Sequence, residues 1–246
     1  RSRRGTAQAA CHPSHTMTRA GWTSIAGCLL GLGSAIFAQP CPPLSDGPNT
    51  LRVPAPKDGN PRPVVAVLAD NAGTETIDFV VPYSILRDSA VAEVISASPA
   101  SGVVKLMPAL TIHADMTFEE FDRTHAAGAD IVIVPALHDR RAPHVVGWLR
   151  SQAHRGAIVV GICEGAWTLA EAGLLHGKQA TTHWFSMRSI ARYFPTTTWR
   201  RDRRFVIDGK VMTTAGVSAS IPASPAIVDS IAGNGTALAT AQRLGI

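Results

Sequence analysis

The chain has 246 residues, of which 46% are hydrophobic and 17% charged, enough for one α/β domain with a buried core; a disordered or fibrous protein is excluded. Its net charge is +5, but residues 1–38 hold four arginines and no acidic residue, which leaves +1 on the remainder. The basic character therefore belongs to the N-terminal segment and does not indicate an acidic partner for the domain.

Residues 1–38 have the pattern of a leader. From Met17, a short segment with one arginine precedes an uncharged apolar stretch, and Ala35 and Ala38 offer a small-residue cleavage point. A cleaved signal peptide from Met17 predicts a periplasmic or secreted protein. Two alternatives stay open, an uncleaved membrane anchor and lipidation at Cys28. A leader that does not function would leave the protein in the cytoplasm.

Residues 39–63 contain many Pro, Gly, Asn and Asp and have no apolar periodicity, so we predict a linker. Of the four cysteines, Cys11 and Cys28 precede this linker, Cys41 lies in it and Cys163 lies far downstream. These positions do not predict a disulfide framework. A Cys41–Cys163 bridge stays open as an alternative for an oxidising compartment.

The domain is expected to cover residues 64–246, where strand and helix patterns alternate. Continuous β-branched runs are typical of strands buried on both faces. Strands are predicted at 64–69, 91–97, 130–135, 157–162, 205–207 and 211–214, with a hairpin in 103–115. Helices are predicted at 76–87, 118–125, 143–155, 165–172 and after Pro222. This alternation predicts an α/β fold, with a doubly wound, mostly parallel sheet and helices on both faces.

Cys163 stands between a predicted strand and a predicted helix, in the sequence Val-Val-Gly-Ile-Cys-Glu-Gly-Ala. Gly161 and Gly165 flank it at two positions on either side, the spacing of a nucleophile elbow. Such a turn holds the side chain in a strained conformation at the carboxyl end of the sheet. We expect the start of the helix to stabilise a thiolate. The alternative is a buried, inert cysteine that ends a core strand.

Residues 157–184 resemble the ThiJ/PfpI family of the class I glutamine amidotransferase-like superfamily. The resemblance rests on the cysteine elbow together with Ala-Thr-Thr-His-Trp at 180–184, and it covers about 64–233. More narrowly, these motifs are similar to the branch that includes isonitrile hydratase and the amidotransferase-like sensor domains of AraC-type regulators. The resemblance implies a flavodoxin-like fold, a reactive cysteine and a homodimer.

The resemblance also implies partners for Cys163. His183 matches an imidazole that lies near the nucleophile in a related protein and would transfer protons. Asp78 matches an acidic position beside the sulfur on the first helix, where a carboxyl group hydrogen-bonds the sulfur or acts as a base. The alternatives are a histidine satisfied in the core and an aspartate that caps a helix.

Pro135-Ala136-Leu137-His138 stands where the family has Pro-Gly-Gly, so both glycines are replaced here. The backbone N–H groups of Leu137 and Glu164 are expected to form an oxyanion hole. His138 is predicted either to enter the pocket or to lie in a solvated loop. Glu164 is either a second acid/base group or a solvated charge on the first helical turn.

The run Trp-Arg-Arg-Asp-Arg-Arg at 199–204 is basic, but without a recognisable DNA-binding module it predicts a solvated loop and no nucleic-acid partner. The scattered histidines lack metal-ligand spacing, so neither a metal nor a cofactor is expected. Loops at 137–143 and 185–192 are expected to form the walls of a pocket for a small molecule. A membrane contact is expected only through an uncleaved leader.

Two functional hypotheses follow. The first is a cysteine-dependent enzyme that acts on a small carbon–nitrogen substrate, by amide hydrolysis or by nitrile or isonitrile hydration. The second is a non-catalytic ligand or redox sensor, like the sensor half of AraC-type regulators. A third, glyoxalase or protein-repair activity, has no sequence feature of its own. The resemblance does not choose among these reactions because fold and function are separable.

Overall fold

A seven-stranded sheet forms the centre of the computed structural model, which describes residues 50–246. The strands, in chain order, are β1 (Val64–Leu68), β2 (Thr74–Glu75), β3 (Glu93–Ser98), β4 (Val103–Met107), β5 (Leu110–His113), β6 (Met116–Thr117), β7 (Ile131–Val134), β8 (Ile158–Gly161), β9 (Gln179–Ala180), β10 (Thr198–Trp199), β11 (Phe205–Asp208) and β12 (Val211–Thr214). The helices are α1 (Thr76–Ser89), α2 (Phe118–Thr124), α3 (Pro143–His154), α4 (Gly165–Glu171), α5 (Met187–Tyr193), α6 (Ser220–Ala232) and α7 (Asn234–Leu244).

The sheet has the order β11-β12-β8-β7-β1-β3-β6, and its neighbours are parallel except for the antiparallel pair β11 and β12. The predicted hairpin is β4 and β5, which pair antiparallel and join β2 in a small separate sheet. The doubly wound, flavodoxin-like α/β fold predicted from the sequence is confirmed.

Both faces of the central sheet are covered by helices. On β1, Val65 and Val67 belong to one apolar cluster, and Ala66 and Leu68 belong to another on the opposite face. The first cluster includes residues of α1 and α6, and the second includes residues of α2, α3 and α4. Every β1 side chain is buried, and the sequence of the strand is accordingly apolar at every position. Parallel strands then present their carboxyl ends at one edge, where connecting loops build a site.

Three helical segments differ from the sequence prediction. Residues 185–192 do not form a loop, because most of them belong to α5. Only Met187 and Ile190 of that helix are buried. Two apolar positions are too few to show helical periodicity in the sequence. Pro222 lies in the first turn of α6, and α7 follows as a separate helix.

Residues 50–63 pack against the domain. Leu51 is 3% exposed and belongs to the apolar core. Lys57 Nζ donates to the carbonyl oxygen of Ala129 across 2.6 Å, and the carboxylate of Asp130 accepts from the N–H of Val64. This part of the predicted linker is therefore held in place. The leader, its cleavage point and the alternative bridge from Cys41 lie outside the described residues, among which no helix is long and apolar enough to span a membrane.

Candidate functional site

Cys163 occupies the turn between β8 and α4 with φ of +56°, a left-handed conformation that costs a residue with a side chain about 1–3 kcal/mol. Its backbone is held on both sides. Its N–H donates to Oγ1 of Thr214 across 3.0 Å, and its carbonyl oxygen accepts from Oγ1 of Thr182 across 3.0 Å. Two threonine hydroxyls therefore stabilise the strained turn, and one of them comes from the neighbouring strand β12.

The two glycines of the elbow permit close packing between strand and helix. A Cβ atom at Gly165 would overlap the carbonyl oxygen of Val134 on β7. A Cβ atom at Gly161 would lie 3.0 Å from the backbone nitrogen of Ala166 on α4. The spacing noticed in the sequence is thus a requirement for bringing α4 against the sheet.

Asp78 lies on the first turn of α1 and is 0% exposed. Its Oδ2 accepts from the N–H of Ala136 across 3.1 Å, while its own N–H donates to the Glu75 carboxylate across 2.6 Å. Its Oδ1 has no well-aligned hydrogen bond within the described residues. The thiol of Cys163 interacts with the same carboxyl group and lowers its pKa, as the bond from Ala136 does.

The larger influences on Asp78 act in the opposite direction. Burial and then the negative charge of Glu75 raise the pKa of Asp78 to about 7. Near neutral pH a substantial fraction of this carboxyl group therefore carries a proton. Asp78 is a buried acid beside the sulfur, and it also accepts a hydrogen bond from the loop after β7.

Burial raises the pKa of the Cys163 thiol well above its ordinary value, and the charge of Asp78 raises it further. The backbone N–H of Glu164 lowers it, as expected from the start of a helix, but the effect is smaller. In these surroundings burial outweighs the helix start in its effect on the pKa of Cys163, so they do not favour the thiolate that the sequence predicts. The sulfur rests as a neutral thiol that is 5% exposed at the residue level.

The two backbone donors expected at an oxyanion hole differ in their partners. Leu137 N–H has no acceptor among the described residues, although the next peptide N–H, that of His138, donates to the carbonyl oxygen of Gly73 across 2.8 Å. The N–H of Glu164 faces the sulfur of Cys163. Replacing both family glycines therefore leaves the Leu137 backbone donor uncommitted.

The other proposed side chains have different surroundings. The Glu164 carboxylate is half-buried and accepts a hydrogen bond from the hydroxyl of Ser186, which leads into α5. The half-buried His183 has its ring beside that of Trp184, with centroids 5.4 Å apart, and no hydrogen bond joins its imidazole to Cys163 among the described residues. His138 is exposed, in agreement with the solvated-loop alternative.

Two pockets include residues next to those that hold the elbow. The predicted pocket wall at 185–192 contributes Met187 and Arg188 to one of them, whereas the arginines of 201–204 were not predicted to line a pocket. We name the smaller one, of about 330 Å³, the arginine pocket; it is lined by Thr182, Trp184, Met187, Arg188, Arg201 and Ala215. The larger pocket, of about 440 Å³, is lined by His183, Trp184, Arg204 and residues 215–219. All three arginines that line these pockets, Arg188, Arg201 and Arg204, come from segments that the sequence assigns to loops. No cluster of metal-ligating side chains occurs within residues 50–246.

Similarity to known proteins agrees with this geometry. The DJ-1/PfpI family model matches residues 63–229. The HTH-type transcriptional regulator CdhR of Pseudomonas aeruginosa is 32% identical over 126 residues, which are 50% of this chain and 36% of the regulator. Isonitrile hydratase of Pseudomonas putida is 27% identical over 172 residues, which are 66% of this chain and 70% of the enzyme. The match to CdhR thus spans little more than a third of that regulator's length.

Among solved structures, DJ-1beta of Drosophila melanogaster superposes with a TM-score of 0.67 at 21% identity, over 75% of this chain and 98% of DJ-1beta. At that identity the likeness concerns the fold alone. The resemblance first noticed in the cysteine elbow and the 180–184 motif is confirmed by the match over 63–229. The chain belongs to the DJ-1/PfpI family.

Proposed function

We propose that this protein is a cysteine-dependent enzyme that acts on small carbon–nitrogen compounds, and that isonitrile hydration is the reaction its site supports best. One observation carries the proposal: a neutral thiol at Cys163 lies against the carboxyl group of Asp78, whose pKa is about 7. The similarity to an isonitrile hydratase is independent support.

The reaction uses the acid form of Asp78. The protonated carboxyl donates a proton to the terminal carbon of the isonitrile, which makes that carbon electrophilic. The sulfur of Cys163 then adds to this carbon, and its proton passes to the Asp78 carboxylate, so a thioimidate forms. Water attacks the thioimidate carbon, the C–S bond breaks, and an N-substituted formamide leaves as the thiol is restored. The net change is the addition of one water molecule.

The backbone N–H groups of Leu137 and Glu164 would hold the oxygen that water brings to the carbon. Ordinary amide hydrolysis has weaker support, because it begins with attack by a thiolate. The pKa of Cys163 is raised, and no hydrogen bond connects the imidazole of His183 to the sulfur among the described residues. An isonitrile avoids this difficulty because the first step is protonation of the substrate.

A ligand or redox sensor is the second proposed function. It is favoured by the similarity to the regulator CdhR and by a buried thiol whose raised pKa lowers its reactivity. A sensor needs a pocket beside Cys163 but no turnover. The two functions therefore differ in what happens to the bound molecule.

Formation of N-benzylformamide from benzyl isonitrile tests the enzyme directly, with the purified protein and mass-spectrometric detection. We expect turnover by the wild type, none by Cys163→Ala or Asp78→Asn, and unchanged turnover by Glu119→Gln, which alters an exposed residue on α2. Absence of formamide together with saturable binding that survives Cys163→Ala would favour the sensor.

We also propose that the protein is exported and forms a homodimer. Export rests on the leader pattern, and N-terminal sequencing of the mature protein tests it. A dimer is supported by exposed apolar side chains on α1 and on the β4–β5 hairpin, namely Ile77, Val80, Val103 and Leu110. Equilibrium sedimentation that shows a monomer at micromolar concentration would reject the dimer.

A further inference from the structure

We propose that the arginine pocket binds the carboxylate of a small organic anion and so selects an acidic substrate. The pocket is joined to the elbow by two of its lining residues. Thr182 donates its hydroxyl hydrogen bond to the carbonyl oxygen of Cys163, and Ala215 directly follows Thr214, which accepts from the Cys163 N–H. A ligand in this pocket therefore contacts Thr182, one of the two residues that hold the Cys163 backbone, and Ala215, which follows the other.

Arginine side chains dominate the charge of the residues that line this region. Arg188 on α5, Arg201 after β10 and Arg204 in the neighbouring pocket take part in none of the ion pairs found within residues 50–246. The acidic side chain next to Arg201 in the sequence, Asp202, is already paired with Arg200 at 3.4 Å. A guanidinium group without a partner is suited to a carboxylate, which it can bind through two parallel hydrogen bonds.

The size and walls of the arginine pocket indicate a small ligand with an apolar body. Its volume of about 330 Å³ is in the range of pockets for small molecules. Trp184 is 77% exposed and offers a flat aromatic surface beside the arginines, and Met187 contributes an adaptable apolar wall. Exposed aromatics and arginines also occur in single-strand nucleic-acid sites, but the concave shape of this pocket and its connection to Cys163 through Thr182 favour a small anion.

The identity of the anion as a substrate rests on the proposed function. In that case the carboxylate binds at Arg188 and Arg201 while the reacting carbon–nitrogen group extends to Cys163. The favoured substrate class is then a small isonitrile that carries a carboxylate at its other end.

Binding is tested separately from catalysis with the full-length Cys163→Ala protein, by calorimetric titration with benzoate and with neutral benzamide. We expect saturable binding of benzoate that weakens with added salt, and weaker binding of benzamide. Arg188→Gln and Arg201→Gln should each weaken benzoate binding about tenfold, since a charge-assisted pair is lost. Arg123→Gln, on the exposed side of α2, should leave it unchanged.

Absence of saturable benzoate binding, or equal binding by the Arg188→Gln/Arg201→Gln double variant, would overturn the pocket assignment. Arginine-dependent binding of a thymidine dodecamer without binding of benzoate would overturn it in favour of nucleic acid. The wild-type enzyme should also prefer 4-(isocyanomethyl)benzoate to its methyl ester, a preference that the double variant loses. If benzoate binds but neither isonitrile is turned over, the pocket stands and the proposed reaction fails.

Discussion

The backbone N–H of Cys163 and the hydroxyl of Thr214 are joined by a hydrogen bond of 3.0 Å, although 51 positions separate the two residues in sequence. Thr214 ends β12, the strand that pairs with β8 directly before the elbow. The strained backbone of Cys163 is therefore supported from the next strand of the sheet.

Replacing this support should destabilise the domain. Thr214→Val keeps the shape of the side chain but leaves the buried N–H of Cys163 without an acceptor, at a cost of about 1–3 kcal/mol in the free energy of unfolding. Urea unfolding measures the change. Thr111→Val, at an exposed position on β5, is the matched control and should alter stability little. Equal stability of the two variants would contradict a supporting role for Thr214.

Alanine substitutions at two helical glycines, one in the elbow and one outside it, test the packing of the elbow. Gly165→Ala should destabilise the protein by about 3 kcal/mol or more, because the added methyl group overlaps the Val134 carbonyl oxygen. Gly147→Ala places the same group in open space on α3 and should be neutral or stabilise by up to about 1 kcal/mol. Thermal unfolding of both variants provides the comparison. A Gly165→Ala protein as stable as the wild type would show that α4 does not need this approach.

The proposed reaction has a definite dependence on pH. Because protonated Asp78 is the acid and its pKa is about 7, kcat/KM for benzyl isonitrile should fall as pH rises through about 7. A pH series at fixed ionic strength, with protein stability checked at each point, measures it. A rate that rises through the same range would instead make Asp78 a base.

Stability should depend on the same proton. Asp78 has an ordinary pKa near 3.8 when unfolded and about 7 when folded, so the folded state binds the proton more tightly. The stability from this proton is fully present below about 3.8 and is lost as pH rises to about 7. Relative to wild type, Asp78→Asn should gain up to about 4 kcal/mol between these limits. Denaturant unfolding of both proteins across that range measures the difference, and a constant difference would contradict the assignment.

Alkylation reports on the electrostatic coupling between the two groups. The raised pKa of Cys163 predicts slow reaction with iodoacetamide at neutral pH, slower than that of a free thiol such as glutathione. Asp78→Asn removes one negative charge beside the sulfur and should speed the reaction severalfold. Glu119→Gln should not, because it changes an exposed carboxylate on another helix. Fast alkylation of the wild type would show that the thiol is not suppressed.

The architecture is largely predictable from the sequence because local pattern and tertiary packing agree. Buried parallel strands such as β1 have an apolar residue at every position, and the glycines around Cys163 identify a turn that other residues cannot form. The short helix α5 is harder to predict from the sequence. Only Met187 and Ile190 are buried on it, so its spacing does not differ clearly from that of a loop.

The electrostatics of the site could not be predicted in the same way. The sequence favours a thiolate at a helix start, but the pKa of Cys163 depends on burial and on Asp78, 85 positions earlier. The arginine pocket is similar in this respect, because Arg188 and Arg201 meet only when α5 and the segment after β10 come together. A run of charged residues in a sequence does not show which of its side chains form ion pairs in the folded protein.

The hydrogen bond from Cys163 to Thr214 also has a kinetic consequence. β8 and α4 lie directly on either side of Cys163 in the sequence, but the Thr214 hydroxyl that accepts from the Cys163 N–H, 51 positions away, reaches its place only when β12 pairs with β8. Contacts between distant parts of a chain form slowly because the intervening loop must first close. We therefore expect Cys163 to pass through a period, during refolding, when its turn is relaxed and its sulfur is open to oxidants. The folded domain buries a thiol that we expect to be accessible until β12 is in place.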